Sequence, residues 1–421
     1  MKIALDTLGC KLNQAEIELL THRFREEGHT IVSSTDNADI YILNTCTVTH
    51  TADAKSRQLL NRTRRRNPSA ILVATGCYAQ RVPEILARIE GVTLTVGNDD
   101  KMNLPYILER QGFLTKPRQS ELPGFEKEIS GSRIRSFIRI QDGCSNFCSY
   151  CIVPFVRGEE KSLPPDDVIN QIKNSVSCGV KEIVLTGTEI GAYDGNGVKL
   201  TELLDRILTE SDIQRLRLSS LQPDEITAGL LDLWNDSRVC SHFHISLQSG
   251  NDSVLSRMNR RYDTFIFRKV VSLIRSRLPD VAITTDIITG FPGETDEEYQ
   301  ASFEMCKELG FAKIHVFPYS RRPETAAAMM PKQVPDSVKT LRNRNLGILS
   351  RECAESFRRR FIGRTMDVLW ETQSRGIWSG YTGNYIRIYT RSKSNLTNQI
   401  NQVTAQELYK DGIWGKIEKE M

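Results

Sequence analysis

The chain has 421 residues, 39% hydrophobic and 26% charged, which is enough apolar content for packed cores and excludes general disorder. Lys and Arg total 56 against 52 Asp and Glu, a formal charge of +4, so charge alone neither demands nor excludes a polyanionic partner. No apolar run approaches a membrane span, and the opening Met-Lys-Ile-Ala-Leu-Asp meets a carboxylate before a signal-peptide core forms. The expectation is a cytoplasmic protein with no membrane partner, whose ten cysteines serve metal binding or chemistry rather than a disulfide framework.

In the first hundred residues, strand patterns at Ile3–Asp6, Asp39–Asn44, Ala70–Thr75 and Val92–Val96 alternate with helical patterns at Gln14–Glu27, Ala52–Arg66 and Pro83–Ile89. Such alternation predicts right-handed βαβ units and an open, mostly parallel α/β sheet. Residues 105–130, carrying Leu-Pro, Lys-Pro and Leu-Pro-Gly, read as a linker. Six more strands follow: Phe137–Gln141, Glu182–Thr186, Arg215–Ser219, His242–Leu247, Ala282–Ile287 and Lys313–Phe317. Helical patterns at Pro165–Ser177, Leu200–Thr209, Thr264–Arg277 and Glu297–Leu309 separate them. Six βα units are too few for a closed eight-stranded barrel, so a partial (βα)6 barrel of the TIM type is expected. A charged helix is predicted over Pro335–Arg360, and beyond it short alternating strands such as Val368–Glu371 and Tyr385–Tyr389 predict a small all-β barrel or sandwich. The fold class is therefore α/β with three units, at residues 1–115, 130–358 and 359–421.

Strand parity says which face of the partial barrel is polar. Leu216 and Leu218 oppose Arg215, Arg217 and Ser219; Phe243, Ile245 and Leu247 oppose His242, His244, Ser246 and Gln248. Helices should cover the apolar faces, turning the polar ones inward. That much inward charge suits a lumen holding a polar ligand, or positions that pair with one another.

The segment Gly143-Cys144-Ser145-Asn146-Phe147-Cys148-Ser149-Tyr150-Cys151 has the spacing C-x3-C-x2-C. Zinc sites supply four ligands, commonly in C-x2-C pairs. Three thiolates in one loop instead leave one iron of a four-iron cluster without a protein ligand. The loop follows the first barrel strand, at the mouth where such barrels carry their sites. Cys10, Cys46 and Cys77 each follow the C-terminal end of a parallel strand, the binding edge of an open sheet. On spacing alone, scattered core cysteines remain the simpler reading of those three.

The C-x3-C-x2-C loop resembles that of the radical S-adenosylmethionine enzymes. The segments Thr7-Leu8-Gly9-Cys10-Lys11-Leu12-Asn13-Gln14, Asn44-Thr45-Cys46-Thr47-Val48 and Thr75-Gly76-Cys77 are similar to the N-terminal domain of the methylthiotransferases within that superfamily. The resemblance covers essentially the whole chain and implies an N-terminal cluster domain, a radical barrel and a C-terminal TRAM barrel. It implies two 4Fe–4S clusters, an auxiliary one on Cys10, Cys46 and Cys77 and a radical-generating one on Cys144, Cys148 and Cys151. S-adenosylmethionine would be both methyl donor and radical source. The implied cofactor contacts are Tyr150 against adenine, Gly187 and Glu189 after the second strand, and Gly290 in the turn Thr289-Gly290-Phe291-Pro292-Gly293; strand parity adds inward Ser219 and Gln248 as candidates. The implied partners are tRNA, at position 37 of its anticodon loop, and a reducing protein.

The Cys10-Lys11-Leu12-Asn13 loop resembles the branch that adds a methylthio group at carbon 2 of N6-threonylcarbamoyladenosine, and His244–Gly250 and Met258–Tyr262 resemble the tRNA-acting branches. Sister branches acting on isopentenyladenosine or a ribosomal-protein aspartate stay open, as does a non-catalytic RNA-binding protein with a structural metal. Six basic residues without an acid lie in Lys55–Arg66, and eight against three acids in 332–360. The RNA-binding candidates are Arg62, Arg64, Arg65, Arg66, Arg358, Arg359 and Arg360. Trp378, Tyr381 and Tyr385 suit stacking on RNA or core packing equally. The sequence does not say which side chains recognise the threonylcarbamoyl group; inward Arg217 and the basic loop residues are the candidates. Cys178, Cys240, Cys306 and Cys353 lack a partner at ligand spacing and are expected to be small buried hydrophobes.

Overall fold

The computed structural model describes residues 1–33, 37–115 and 134–418. Its first unit is a parallel sheet in the order Thr30–Ile31, Lys2–Thr7, Ile40–Thr45, Ile71–Gly76, Val92–Val96. The central strand Ile40–Thr45 is buried along its whole length, as helices on both sheet faces require. Helix Lys11–Glu26 sets Ile17, Leu20 and Phe24 at helical spacing against Ile3, Ile40 and Val73. Helix His50–Arg66 packs Leu60 on the opposite face with Tyr41, Leu43 and Leu72. Thr49 starts that helix, its hydroxyl accepting from the Ala52 amide at 3.1 Å. Part of the expected linker is instead helical: Leu104–Arg110 forms a helix with Pro105 in its first turn, where a missing amide hydrogen costs nothing. Residues 116–130 of that linker lie outside the described residues.

The second unit is the six-stranded partial barrel. Strands Arg135–Arg139, Glu182–Thr186 and Arg215–Leu218 pair in parallel, and so do Ser220–Leu221, His242–Ile245, Ala282–Thr289 and Lys313–Pro318. The third strand breaks at Ser219, so Arg215–Leu218 pairs with the first group and Ser220–Leu221 with the second, and Leu216 bridges Val239 just ahead of His242–Ile245. Leu216, Leu218, Phe243 and Ile245 enter the shell packed by helices Pro165–Ser177, Leu200–Glu210 and Thr264–Arg277, so the polar faces turn inward as parity predicts.

The first unit spans the gap in this barrel. On one edge, the Glu18 carboxylate accepts from the Phe137 amide at 3.0 Å, satisfying an edge-strand donor. Beyond the other edge strand, buried Arg322 donates to the Thr47 carbonyl at 3.1 Å and to Asp53 at 2.7 Å.

The third unit is a closed five-stranded barrel in the order Thr365–Ser374, Ile377–Thr382, Arg387–Thr390, Gly412–Ile417, Ile400–Tyr409, filled by Trp370, Trp378, Ile388, Val403 and Ile413. It corrects one expected element. Tyr385 is not in a strand: it has φ +65° in the loop before Arg387 and enters the N-terminal end of the partial barrel. Its ring lies 4.1 Å from the Arg217 guanidinium and 4.8 Å from the His242 ring, and its hydroxyl accepts from Arg135 at 2.8 Å. Arg217, fully buried, pairs with Glu182 at 2.8 Å, and Arg215 and Arg135 reach the same carboxylate at 3.2 and 3.3 Å. The lower half of the lumen is thus a paired network under a tyrosine plug, and Arg217 is taken up in it. Tyr381 lies under the Arg135 guanidinium at 4.7 Å and Trp378 is in the small barrel's core, so packing accounts for all three aromatics.

Candidate functional site

The N-terminal cysteines converge because their strands are adjacent and end together. Cys10 is the N-cap of helix Lys11–Glu26, Cys46 directly follows Ile40–Thr45, and Cys77 opens helix Cys77–Arg81 directly after Gly76. Two glycines make the approach possible. Gly9 has φ +101°, and a Cβ there would sit 2.7 Å from the Cys46 sulfur. Gly76 has φ +93°, and a Cβ would strike the Asn44 side chain and the Thr45 backbone. The Asn13 amide donates to the Leu8 and Thr45 carbonyls at 2.7 and 3.1 Å, tying the first loop to the second. The Cys10 thiol points to Asn13 Oδ1 at 3.7 Å, and Asn98 Nδ2 lies 3.6 Å from the Cys77 sulfur.

Cys144, Cys148 and Cys151 lie in the loop after the first barrel strand. Buried Gln141 braces it: its amide nitrogen donates to the Gly143 carbonyl at 2.7 Å, and its oxygen accepts from the Glu189 amide at 2.8 Å. Glu189 accepts from the Cys144 thiol at 3.2 Å, from Asn146 at 2.5 Å and from Arg261 at 2.8 Å. Glu160 joins Cys144 and Glu189 in a compact donor group. Arg260 Nη1 lies 3.0 Å from the Cys148 sulfur.

The two triads meet across one short helix. Val153–Arg157 follows Cys151 directly, and its Val156, with Ile152, packs on Cys77. Arg157 reaches from the barrel into the first unit, donating to Asp142 at 2.9 Å, to Glu16 at 3.0 Å and to Asn13 Oδ1 at 2.7 Å. Lys101, fully buried, completes the network with Glu16 at 2.5 Å. These two cations hold the Glu16 carboxyl well below its usual range despite its burial.

Burial raises the Cys10 thiol and pushes Cys46, Cys144 and Cys151 up to about 12. Such thiols ionise on binding a metal, and two soft triads suit iron–sulfur ligation better than hard cations. Arg157 and Arg260 supply charge to balance thiolates. On this chemistry the residues fit two clusters.

The remaining expected contacts gather at the same mouth. Tyr150 packs with Ile288 and Phe291 on either side of Gly290, and burial raises its hydroxyl well above the ordinary range. Gly187 lies against Gln141, and a Cβ there would meet its carbonyl at 2.8 Å. The Ser219 hydroxyl is buried without a hydrogen-bond partner, and Gln248 takes φ +68° beside Ile287.

The basic residues divide. Arg62, Arg65 and Arg66 are exposed, whereas Arg64 is half-buried and bonds the Pro68 carbonyl. Arg359 pairs with Glu355 at 2.5 Å, and Arg360 donates to the Pro279 carbonyl at 2.7 Å. Pro279 precedes strand Ala282–Thr289, so Arg360 stands at the N-terminal end of the barrel, opposite the cysteine loops. Arg358 is half-buried, its Nε without a partner. Among the other cysteines Cys240 and Cys306 are buried and Cys353 partly so, but Cys178 is exposed, because it caps the end of helix Pro165–Ser177 rather than facing its core.

Sequence reasoning missed Arg157, Glu16, Lys101, Arg260 and Asn98. The one usable signal was Arg157, a lone charge in the otherwise apolar Val-Pro-Phe-Val-Arg run after the motif. An apolar and basic hollow also opens beside the Cys46 loop, lined by His50, Arg321, Pro323, Ala328 and Met329.

The partial barrel and its cysteine loop define a radical S-adenosylmethionine fold. The radical SAM superfamily pattern matches residues 138–306, and that of the uncharacterized protein family UPF0004 matches residues 2–97. Among solved structures, the radical S-adenosylmethionine methyltransferase TsrM of Kitasatospora setae aligns with a TM-score of 0.57 at 16% identity, covering 78% of this chain and 75% of that one, a likeness of fold. The threonylcarbamoyladenosine tRNA methylthiotransferase MtaB of Bacillus subtilis (strain 168) is 36% identical over 95% of this chain and 93% of its own length. The protein of that name from Aquifex aeolicus (strain VF5) is 37% identical over 92% and 96%. The tRNA-2-methylthio-N(6)-dimethylallyladenosine synthase of Endomicrobium trichonymphae is 31% identical over 99% and 100%. The chain belongs to the radical SAM methylthiotransferases that modify tRNA. S-adenosylmethionine and 4Fe–4S clusters are the cofactors of this family. No helix among the described residues is long and apolar enough to cross a membrane.

Proposed function

We propose that the protein inserts a methylthio group at carbon 2 of N6-threonylcarbamoyladenosine at position 37 of tRNA. The observation that carries this reading is the meeting of the two cysteine triads across Arg157. Cys10, Cys46 and Cys77 would hold the auxiliary cluster, and Cys144, Cys148 and Cys151 the radical-generating one. Bound there, the clusters and S-adenosylmethionine supply sulfur activation, a methyl group and a one-electron cleavage. The chain's own residues do the rest. Arg157 and the Asn13 amide hold the two loops in register, and Arg260 balances charge at Cys148. Tyr150, backed by buried Phe291, offers an apolar wall for adenine. Ser219 and Gln248 are polar anchors at the same mouth, and Glu189, fixed by Arg261 and Asn146, presents a carboxylate beside Cys144.

The barrel floor is plugged by Tyr385, and its open side is covered by the first unit. Substrate therefore enters from the cysteine side, and water is excluded from below. The anticodon loop is single-stranded, so its base swings out without melting a duplex. Phe147 and Phe155, 60% and 54% exposed beside the cysteine loops, offer stacking faces. Arg62, Arg65 and Arg66 lie at the far end of helix His50–Arg66, about 20 Å from the mouth at 1.5 Å per residue. That reach suits backbone phosphates of the stem rather than the modified base. A cytoplasmic reducing protein would supply electrons.

The test is nucleoside mass spectrometry of tRNA from a host lacking its own enzyme for this step. Expression of this chain should restore 2-methylthio-N6-threonylcarbamoyladenosine. Restoration of only 2-methylthio-isopentenyladenosine would refute the substrate assignment.

A further inference from the structure

Lys11 directly follows Cys10 at the start of helix Lys11–Glu26, whose far side packs on the first barrel strand through Glu18 and Phe137. Its ammonium group lies in the electrostatic field of Asp286 and Glu182 and of the cations Arg135 and Arg217, all inward residues of the partial barrel. Both His242 and His315 sense its charge from the opposite strands. Lys11 therefore enters the lumen from the wall that the first unit provides, above the plugged floor. It is only half-exposed, and among the described residues it has neither an ion pair nor a hydrogen bond.

The local carboxylates are already engaged. Asp286 pairs with His244 Nε2 at 3.2 Å, whose Nδ1 bonds the Thr284 hydroxyl at 2.9 Å. Glu182 serves three guanidiniums, and Glu371 pairs with Arg135 at 2.5 Å. In this lumen four cations (Lys11, Arg135, Arg215 and Arg217) face three carboxylates. The three guanidiniums share Glu182 and Glu371, and the one carboxylate near Lys11, a residue away from the auxiliary triad, is Asp286, already bonded to His244.

We propose that Lys11 reads the free carboxylate of the substrate's N6 substituent and so selects an acidic side chain over an aliphatic one. The inference rests on N6-threonylcarbamoyladenosine being the substrate. Carbon 2 and the N6 group flank N1 on the same edge of adenine. A base presenting carbon 2 to the auxiliary triad thus directs its N6 substituent into the neighbouring lumen. A threonylcarbamoyl group brings one carboxylate to the unpaired ammonium. A dimethylallyl group would leave that ammonium desolvated and without an anion. A charge-assisted hydrogen bond of this kind is worth about ten- to a hundredfold in affinity.

The experiment uses reconstituted holoenzyme and one tRNA in three forms: with the threonylcarbamoyl acid at position 37, with its methyl ester, and with unmodified adenosine. The wild type should bind the acid about ten- to a hundredfold more tightly than the ester. Lys11→Gln should bind acid and ester alike, and Lys11→Arg should recover the preference, with unmodified tRNA bound equally by all three proteins. Iron content measured on each variant separates loss of recognition from loss of the adjacent triad. Equal binding of acid and ester by the wild type, or an undiminished preference in Lys11→Gln with full iron, overturns the proposal. Failure of the wild type to methylthiolate the acid form overturns the substrate assignment instead.

Discussion

Glu182 is the anion on which the barrel floor depends. Its carboxylate, fully buried, is shared by Arg217 at 2.8 Å, Arg215 at 3.2 Å and Arg135 at 3.3 Å. Two of those guanidiniums also hold the C-terminal barrel, Arg215 through the Tyr381 carbonyl at 3.0 Å and Arg217 through the Gly383 carbonyl at 2.9 Å. Replacing Glu182 by Gln keeps the shape and removes the charge, leaving three cations packed without their common partner. The arginines hold the carboxyl down to about 2 from its ordinary 4.5, against the opposing effect of burial. That difference corresponds to about 3 kcal/mol of stability at neutral pH, in line with the roughly 3–5 kcal/mol lost when one member of a buried ion pair is removed.

The depressed carboxyl also sets the pH dependence. Its contribution is complete above the unfolded value near 4.5 and is lost as pH falls toward about 2. Urea unfolding of Glu182→Gln should show a deficit of about 3 kcal/mol at neutral pH that shrinks steadily in acid. Limited proteolysis should cut ahead of Thr365 sooner in the variant, because the small barrel has lost its anchor. A variant within about 0.5 kcal/mol of wild type at neutral pH, or a deficit that persists unchanged near pH 3, would refute the electrostatic account.

Cys46→Ala should lose about half the iron and all sulfur insertion while still cleaving S-adenosylmethionine, whereas Cys148→Ala should abolish cleavage; anaerobic iron analysis and 5′-deoxyadenosine release distinguish the two. Arg157→Gln should lower methylthiolation at least about tenfold with the overall fold kept, since Glu16 retains Lys101 at 2.5 Å; activity equal to wild type would deny Arg157 its role between the triads. The pair Arg65→Glu and Arg66→Glu should weaken tRNA binding and flatten its salt dependence by about two phosphate contacts. Arg359→Ala, which removes only an exposed pair with Glu355, should change stability by less than about 0.5 kcal/mol in a melting curve.

What was legible in the sequence is what depends on near neighbours along the chain. The three cysteines of residues 144–151 lie within one loop, so their spacing alone defines a ligand set. Strand parity placed Arg215, Arg217 and His244 on the inner face because side chains alternate along any strand. The N-terminal triad was legible only through its local segments, since convergence of Cys10, Cys46 and Cys77 depends on the pairing of three strands. Tertiary structure alone decided what fills the space so enclosed. Arg157 finds Asn13 across 144 positions, and Arg217 finds Gly383 across 166. Periodicity carries no trace of such pairings. The inward charges therefore looked alike in the sequence, although the lower ones are drawn into one ion-pair network beneath Tyr385, whereas Lys11 above them makes no ion pair among the described residues. Burial forces each buried charge to find a partner, and which partner it finds is set by how three separately legible units close around one lumen.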